Sequence, residues 1–427
     1  MGMRGMSKKN ARRVDPRSIY ARKTLLGRQI FKLGSVDIPF NYLFVMLAGG
    51  AILLGVFAFV QKQQKAFAED IADTVLRDLG AITSGASVAK GTSQGVDIPN
   101  SDITLECSDE CTCGMTIGAV TAQLKDNIVF GQDNLKGTKL ILWAQDWSLP
   151  LRVSNFLFVT TPRIKYYMIA APNSKLLKTF KERIPDNIDM TYIEDPNPNL
   201  NTGMIGGNKI TNLGYDAVRI VSLSDQIVRP AEMKTCIRDI SFKDADVSCV
   251  VITPNKVVPG IDNAFNVMLA DKEPGEMAYF YAHYVVVGET AALASIFADN
   301  WHQFECNMRK AYMRLSFLSL VISERSNELH NQQSTICTGI SYPQKSDPTT
   351  NPPIPKNWFE KIADTSKALA INEEGAMYQG DITEAGFSRH PPGIQTATRN
   401  IIELQKNLKE IETRNLDLLR HDCPLIY

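Results

Sequence analysis

The chain has 427 residues, with 46 basic and 46 acidic side chains and a formal net charge of zero. This balance hides an asymmetry, because ten basic and only two acidic residues precede residue 38, so the remainder is net acidic. A net-acidic main portion argues against nucleic acid as the partner, since proteins that bind nucleic acid neutralise phosphates with clustered Lys and Arg. The length is enough for two domains of ordinary size beyond the N-terminal region.

Residues 38–60 (IPFNYLFVMLAGGAILLGVFAFV) carry no ionisable side chain and are apolar except for Asn41. A helix of this length spans about 34 Å, which is enough to cross the hydrocarbon layer of a bilayer. The basic residues before the segment place the N-terminus in the cytoplasm and the C-terminal bulk outside the cell. The sequence therefore predicts a single-pass protein of the cell membrane, with the lipid bilayer as its partner.

Two alternatives apply to this N-terminal region. A cleaved signal peptide would have a shorter apolar core that ends at a small-residue cleavage site, whereas this segment runs on into Gln and Lys at 61–65. The basic stub, residues 1–37, attracts anionic inner-leaflet lipid. A nucleic-acid-binding arm is the other interpretation of its charge.

After the apolar segment the chain continues without a helix breaker. Phe67, Ile71, Val75 and Leu79 recur every four residues among acidic side chains, which predicts an amphipathic helical stalk over residues 61–79 that ends at Gly80. Residues 80–101 are rich in Gly, Ser, Thr and Ala and are interpreted as a linker.

The order of a basic stub, a short polar stretch with Gly34 and one long helix that is first apolar and then amphipathic resembles the N-terminal region of type IV pilin-like proteins. The resemblance covers residues 32–79. It implies processing after Gly34 and assembly into filaments.

The cysteines all follow the apolar segment, which indicates an oxidising compartment and up to four disulfides. They are Cys107, Cys111, Cys113, Cys236, Cys249, Cys306, Cys337 and Cys423. Proximity in the sequence suggests Cys236 with Cys249, and Cys306 with Cys337 or Cys423. For the cluster at 107–113, a metal site and free thiols are the alternatives to disulfides.

Short β-branched and aromatic runs between residues 102 and 161 predict a small antiparallel β module. Trp143 and Trp147 lie within it, and core packing is favoured over a carbohydrate platform. From 162 to 337 strands alternate with helical runs, including a strong helix over 301–329. The alternation predicts an α/β domain with a mixed, Rossmann-like sheet.

Residues 338–393 form a Pro-rich loop with a short helix near 358–369. Apolar residues at heptad spacing, with Asn415 at an a position, mark the segment 394–427. This segment is either a helix docked on its own domain or one strand of a coiled coil. Self-association through the N-terminal or the C-terminal helix is therefore a further expectation.

No sequence motif of known mechanism is present, and neither a catalytic residue, a cofactor nor a metal is assigned. His302 and Cys306 lie four residues apart on one helix, where a disulfide at Cys306 is favoured over a metal. In open α/β sheets ligands bind beyond the carboxyl ends of the strands. The residues predicted at that edge are Asn173, Ser174, Asp225, Gly288, Glu289 and Thr290.

The basic stub, the anchor, the linker, the mixed domain and the final Cys423-Pro424-Leu425-Ile426-Tyr427 together resemble uncharacterised archaeal single-pass membrane-anchored proteins. We therefore expect a structural or binding protein of the cell envelope with an extracytoplasmic domain. A membrane-tethered enzyme or small-ligand receptor that uses the strand edge is the alternative, and a pilin-like filament subunit is a third.

Overall fold

A computed structural model describes most of the chain. The described residues are 40–86, 93–98, 102–108, 110–124, 127–194, 204–205, 208–209, 214–224, 246–254, 263–272, 279–332, 342–371, 377–382 and 392–427. The chain divides into two compact units, residues 1–63 and residues 64–427. Each is described by itself below.

Helix α1 (Phe40–Ala86) begins in the first unit. Its segment Phe44–Gln63 is long and apolar enough to cross a membrane and is the only such helix in the described part of the chain. None of this segment is buried, and large side chains such as Met46 and Leu54 are exposed. The helix does not end at Gly80, as the sequence had suggested. A glycine in a helix interior costs only about 1 kcal/mol relative to alanine, so flanking helix formers carry the backbone past it.

The first strands of the second unit form two four-stranded sheets. In chain order they are β1 (Ser93–Asp97), β2 (Ile103–Cys107), β3 (Cys113–Ile117), β4 (Val120–Gln123), β5 (Ile128–Gly131), β6 (Asn134–Leu135), β7 (Lys139–Leu149) and β8 (Leu151–Thr160). One sheet has the order β1-β7-β8-β5 and the other β4-β3-β2-β6. The pairing of β5 with β8 is parallel, which differs from the antiparallel module expected from sequence.

Strand β1 lies within the stretch interpreted as a linker. Its five residues pair antiparallel with residues 139–143 of β7. The composition of this stretch did not predict a strand, because a long-range partner rather than local propensity determines its conformation.

A seven-stranded sheet follows, together with the first helix that packs on it. The elements are β9 (Ile164–Ala170), α2 (Lys175–Arg183), β10 (Met190–Glu194), β11 (Met204–Ile205), β12 (Asn208–Lys209), β13 (Ala217–Leu223), β14 (Asp246–Pro254), β15 (Ala264–Lys272), β16 (Tyr279–Val287) and β17 (Met377–Ile382). The order is β10-β9-β13-β14-β15-β16-β17, and β11 pairs only with β12. The pairs among the first four strands are parallel and the rest are antiparallel. The prediction of a mixed α/β fold is confirmed.

The part of this unit that the structure describes has four more helices: α3 (Glu289–Phe297), α4 (Trp301–Gln332), α5 (Trp358–Ile371) and α6 (Pro392–Arg420). Every residue of α3 after Glu289 is buried. Helix α3 packs against β14, β15 and β16 on one side and against β5, β7 and β8 on the other. A short helix that is apolar around its whole circumference requires such an interior position.

An aromatic cluster fills the space around α3. Trp143 and Trp147 are both fully buried, as core packing predicted. The Trp143 ring stacks on Phe158 at 4.6 Å between centroids and meets Phe297 of α3 edge-on at the same separation. The smaller β1-β7-β8-β5 sheet and the large sheet therefore share one hydrophobic core, in which α3 is the central element.

The heptad positions of α6 are used within the chain. Ile401, Leu404, Ile411 and Leu418 are buried, and α6 packs on α5, β16 and β17. The side chain of Asn415 accepts a hydrogen bond from the backbone N–H of Ile426 at 3.0 Å. Of the two interpretations of this segment, the structure has the docked helix. Self-association through either terminal helix stays a prediction.

Disulfides are present, and the partner of Cys306 differs from the one that proximity suggested. Cys107 bonds with Cys113, and Cys111 bonds with Cys306 across a sequence separation of 195. The expectation that Cys306 pairs with Cys337 or Cys423 is therefore wrong, because the fold brings the tip of the β2–β3 hairpin onto α4. Cys249 and Cys423 are also disulfide-bonded, whereas Cys236 and Cys337 lie outside the described residues.

The C-terminal end of α3 is held by a buried arginine from the middle of β13. Arg219 is 1% exposed. Its Nη1 donates to the carbonyl oxygen of Asp299 at 2.7 Å and to Ser248 Oγ at 2.6 Å. Its Nη2 donates to the carbonyl oxygens of Ser295 and Ala298. The last carbonyls of a helix lack partners within it and carry partial negative charge. A buried guanidinium donates hydrogen bonds to these carbonyls, and its positive charge balances their partial negative charge.

We expect Arg219→Met to lower the free energy of unfolding by about 3 kcal/mol or more, because it leaves several buried carbonyls without donors. Arg163→Met is the matched control, since Arg163 pairs with Asp216 at the surface with half of its side chain exposed. Such a pair contributes less than about 1 kcal/mol. Denaturant unfolding of the full chain in detergent measures both, and equal effects of the two substitutions would contradict the assignment.

Candidate functional site

The predicted site residues follow strands that end at one edge of the large sheet. Ala170 of β9 is in register with Leu223 of β13, which is in register with Ile252 of β14. Strand β16 runs parallel to β14, because each is antiparallel to β15. The residues after β9 and after β16 therefore leave the sheet at the same edge. Asp225, which follows β13, lies outside the described residues.

Asn173 and Ser174 form the entry to α2. Ser174 is its N-cap, with Oγ accepting from the Leu177 N–H at 3.3 Å. Asn173 has φ of 64°, a left-handed conformation that Asn tolerates better than most residues. Both residues have a local structural role at this end of the helix.

Glu289 and Thr290 accept hydrogen bonds from Arg183, the last residue of α2. Arg183 Nη2 donates to Glu289 Oε2 at 2.5 Å, and Nη1 donates to Thr290 Oγ1 at 3.3 Å. The Thr290 hydroxyl in turn donates to the Asp146 carbonyl oxygen of β7 at 2.9 Å. Helix α2 is about 13 Å long. Among the described residues no hydrogen bond or ion pair joins this group with Asn173 or Ser174.

Gly288 brings the aromatic core close to the backbone. Its φ is 96°, and a Cβ there would lie 3.1 Å from Trp147 Nε1. That indole nitrogen donates to the Val287 carbonyl oxygen at 2.9 Å. The Gly288 N–H itself donates to the Asn263 carbonyl oxygen at 2.8 Å, so it is not available to a ligand.

A shallow cleft of about 320 Å³ lies between β8 and α4. Arg152 and Arg314 line it together with Asn127, Ser154 and Asn155. Arg314 donates to Ser154 Oγ at 2.8 Å, and Arg152 donates to Asn155 Oδ1 at 2.9 Å. Guanidinium groups favour carboxylate or phosphate ligands. Here, however, both make hydrogen bonds within the protein.

A pair of aspartates lies at the opposite end of α3 from the predicted site. The Asp133 carboxylate accepts from Asn300 Nδ2 at 2.7 Å and from Gln303 Nε2 at 3.3 Å. Asp133 and Asp299 also hydrogen-bond to each other through their side chains. Burial raises the pKa of Asp299, while the charge of Arg219 and the bond from Asp133 act in the opposite direction. Burial is therefore the effect that prevails at Asp299.

Sulfur atoms cluster between the β2–β3 hairpin and α4. Lys310 Nζ lies 3.3 Å from Cys113 Sγ, and His302 Nε2 lies 3.8 Å from Cys306 Sγ. Asn307 Nδ2 lies 3.8 Å from Cys113 Sγ. Because Cys306 is in a disulfide, it is not a metal ligand. Among the described residues no group of three or more His, Cys, Asp or Glu side chains is arranged to hold a metal ion.

Sequence reasoning did not find the buried Arg219 or the Asp133–Asp299 pair. The signal for Arg219 is a single charge inside the apolar strand AVRIVSL, where an interior charge needs a buried partner. Asp133 and Asp299 are far apart in the chain, and each lies in a polar turn. Their contact could be found only from the fold.

Comparison of the chain with protein-family models, with curated proteins and with solved structures found no match.

The raised pKa of Asp299 predicts how stability depends on pH. A carboxyl whose pKa is higher in the folded state stabilises the fold below its unfolded pKa, about 3.9, and this contribution is lost as pH rises through the folded pKa. Asp299→Asn keeps a neutral polar group at this position. We expect the stability of this variant, relative to the wild type, to increase as pH rises from 4 to 8.

Asp216→Asn is the control of opposite sign, because the hydrogen bond from Arg163 lowers the pKa of Asp216. That carboxylate stabilises the fold above its unfolded pKa, and its contribution is lost as pH falls through the folded pKa. Asp216→Asn should therefore lose stability relative to the wild type toward neutral pH. Denaturant midpoints over this range measure both variants, and parallel curves for Asp299→Asn and wild type would refute the assignment.

Proposed function

We propose that this chain is a single-pass membrane-anchored protein whose extracytoplasmic domain has a structural or binding role at the cell envelope. The observation that carries the proposal is the segment Phe44–Gln63, which is long and apolar enough to span a bilayer and has none of its length buried. An unburied apolar surface of this extent is costly in water, and a bilayer removes the cost.

Charge and cysteine chemistry support the orientation. Ten basic residues precede the apolar segment, and the positive-inside rule keeps such a stub in the cytoplasm. The disulfides of the described residues all follow the segment. Structural disulfides persist in oxidising compartments, so they favour an extracytoplasmic location for residues 64–427.

The role proposed for the domain follows from the use of its strand edge. Glu289, Thr290 and Gly288 are engaged in contacts that join layers of the fold, and Ser174 caps a helix. Such contacts leave little of the predicted edge for catalysis. They favour a domain whose surface, rather than an enclosed reaction centre, carries its function.

A ligand receptor with a Rossmann-like sheet is the second candidate, on one specific observation. The parallel strands have the order β10-β9-β13-β14, which in chain order is 2-1-3-4. In sheets of this kind the ligand crevice lies where the order reverses, here between the ends of β9 and β13. Asn173 follows β9 at this point, and Asp225 follows β13. The pilin-like filament subunit and the archaeal resemblance remain proposals based on sequence alone.

The anchor is tested by extraction of native membranes at alkaline pH. We expect the chain to stay in the membrane pellet and expect Leu53→Lys together with Leu54→Lys to release it, because each lysine near the bilayer centre costs about 3 kcal/mol. Leu419→Lys is the control, since Leu419 is a comparably exposed leucine of α6. Release of the wild-type chain by this wash would contradict the anchor.

Orientation is tested by protease added to intact cells. We expect digestion of residues 64–427 and survival of the basic N-terminal stub, because the bilayer protects only what lies in or behind it. Resistance of the domain until the cells are lysed would overturn the proposed topology.

A further inference from the structure

We propose that Cys111–Cys306 is a thiol–disulfide exchange site that accepts electrons from an extracytoplasmic dithiol, with His302 assisting departure of the Cys306 thiolate. The inference goes beyond the proposed function and depends on it only for the compartment in which the dithiol is found. It arises from the arrangement of two disulfides, an imidazole and an ammonium group at one contact between the β2–β3 hairpin and α4.

The two disulfides of this cluster have different tasks. Cys107 and Cys113 are directly opposite each other on β2 and β3, so their bond closes the hairpin locally. Cys111 lies in the loop between these strands and bonds to Cys306 of α4. Opening Cys111–Cys306 would therefore remove the covalent link between the hairpin and α4 while Cys107–Cys113 preserves the hairpin.

The two sulfurs of Cys111–Cys306 differ in accessibility. Cys306 is 1% exposed, whereas Cys111 is partly exposed and follows the exposed Glu110. We place the attack at Cys111 Sγ, with Cys306 Sγ as the leaving group, because Cys111 is the less buried of the two residues. The rate of exchange depends on which sulfur is attacked and increases as the pKa of the leaving thiol falls.

His302 is placed to favour this leaving group. It precedes Cys306 by one turn of α4, with Nε2 at 3.8 Å from Cys306 Sγ. The same nitrogen lies 3.3 Å from the Ser108 carbonyl oxygen, an acceptor that favours an N–H at this position. A thiolate beside a histidine N–H is stabilised by it. Lys310 has the corresponding position at Cys113, 3.3 Å from that sulfur.

The backbone of Cys111 has an uncommon conformation. Its φ of 58° is in the left-handed region, which is uncommon for a residue other than Gly, Asn or Asp. A non-glycine residue in this conformation is strained and persists where the surroundings impose it. The hairpin closure on one side and the bond to α4 on the other impose it here.

The reaction proceeds in two displacements. A thiolate of the dithiol attacks Cys111 Sγ and forms a mixed disulfide, the Cys111–Cys306 bond breaks, and its electron pair leaves on Cys306 Sγ, which gains a proton by way of His302. The second thiol of the dithiol loses its proton and attacks its own sulfur in the mixed disulfide, and Cys111 leaves as a thiolate that takes up a proton. The dithiol is oxidised by two electrons to a disulfide, and Cys111 and Cys306 become thiols.

The test uses the full chain in detergent micelles without denaturant, with dithiothreitol as the dithiol. Samples taken over time are alkylated, and mass spectrometry of peptides measures the labelled fraction of each cysteine. We expect Cys111 and Cys306 to become labelled together, about tenfold faster than Cys107, Cys113, Cys249 and Cys423. Opening of all disulfides at one common rate, or of Cys107–Cys113 first, would overturn the proposal.

Matched variants separate the role of His302 from general destabilisation. His302→Gln should slow labelling of Cys111 and Cys306 about threefold or more and leave the other cysteines unchanged. His330→Gln is the control, because His330 lies on the same helix and contacts Gln344 instead of a sulfur. Lys310→Gln should leave the opening rate of Cys111–Cys306 unaltered. Equal rates for the two histidine variants would refute the assignment to His302.

Discussion

The fold depends on a helix that lies inside the protein and on the polar groups that hydrogen-bond to its otherwise unpaired backbone carbonyls. Helix α3 is buried between two sheets, so the unpaired carbonyls at its C-terminal end cannot bond to water. Arg219 donates to three of these carbonyl oxygens from the centre of β13. A guanidinium group presents several donors in one plane and stays charged when buried, which suits it to this position. The C-terminal end of α3 is thereby fixed to the parallel part of the large sheet.

The other end of α3 is fixed to a different layer. Thr290 donates to the Asp146 carbonyl oxygen, and the indole of Trp147 donates to the Val287 carbonyl oxygen just before the helix. Both partners come from β7 in the smaller sheet. Helix α3 therefore joins the two sheets through hydrogen bonds at each end and through the ring contacts of Phe297, its last residue, with Trp143 and Phe158. This arrangement explains why Gly288, Glu289 and Thr290, which sequence reasoning placed at the strand edge, have structural partners.

Local patterns predicted most of the elements, whereas contacts between distant residues escaped prediction. Strand β13 has the bounds that its apolar run indicated, and helix α4 begins at the predicted Trp301. The errors concern Gly80, the segment that contains β1, the parallel pairing of β5 with β8, and the pairing of Cys306. In each of these, a tertiary contact or a neighbouring helical segment outweighs the local preference. For the candidate site, the sequence identified the residues that follow the strands, but it held no information on which partners, such as Arg183, engage them.

The two disulfides of the cluster restrict the unfolded chain to different extents, because they close loops of different length. In the chain-entropy description, a bond across 195 residues restricts the unfolded chain by about 5 kcal/mol, whereas one across six residues restricts it by about 2 kcal/mol. The two bonds lie side by side, yet the one across 195 residues carries more of the constraint. A reductant that reached this tip would release the larger constraint first and leave the local one in place. The hairpin would then keep its own structure while its attachment to α4 relied on packing and on polar contacts such as that between His302 Nε2 and the Ser108 carbonyl oxygen.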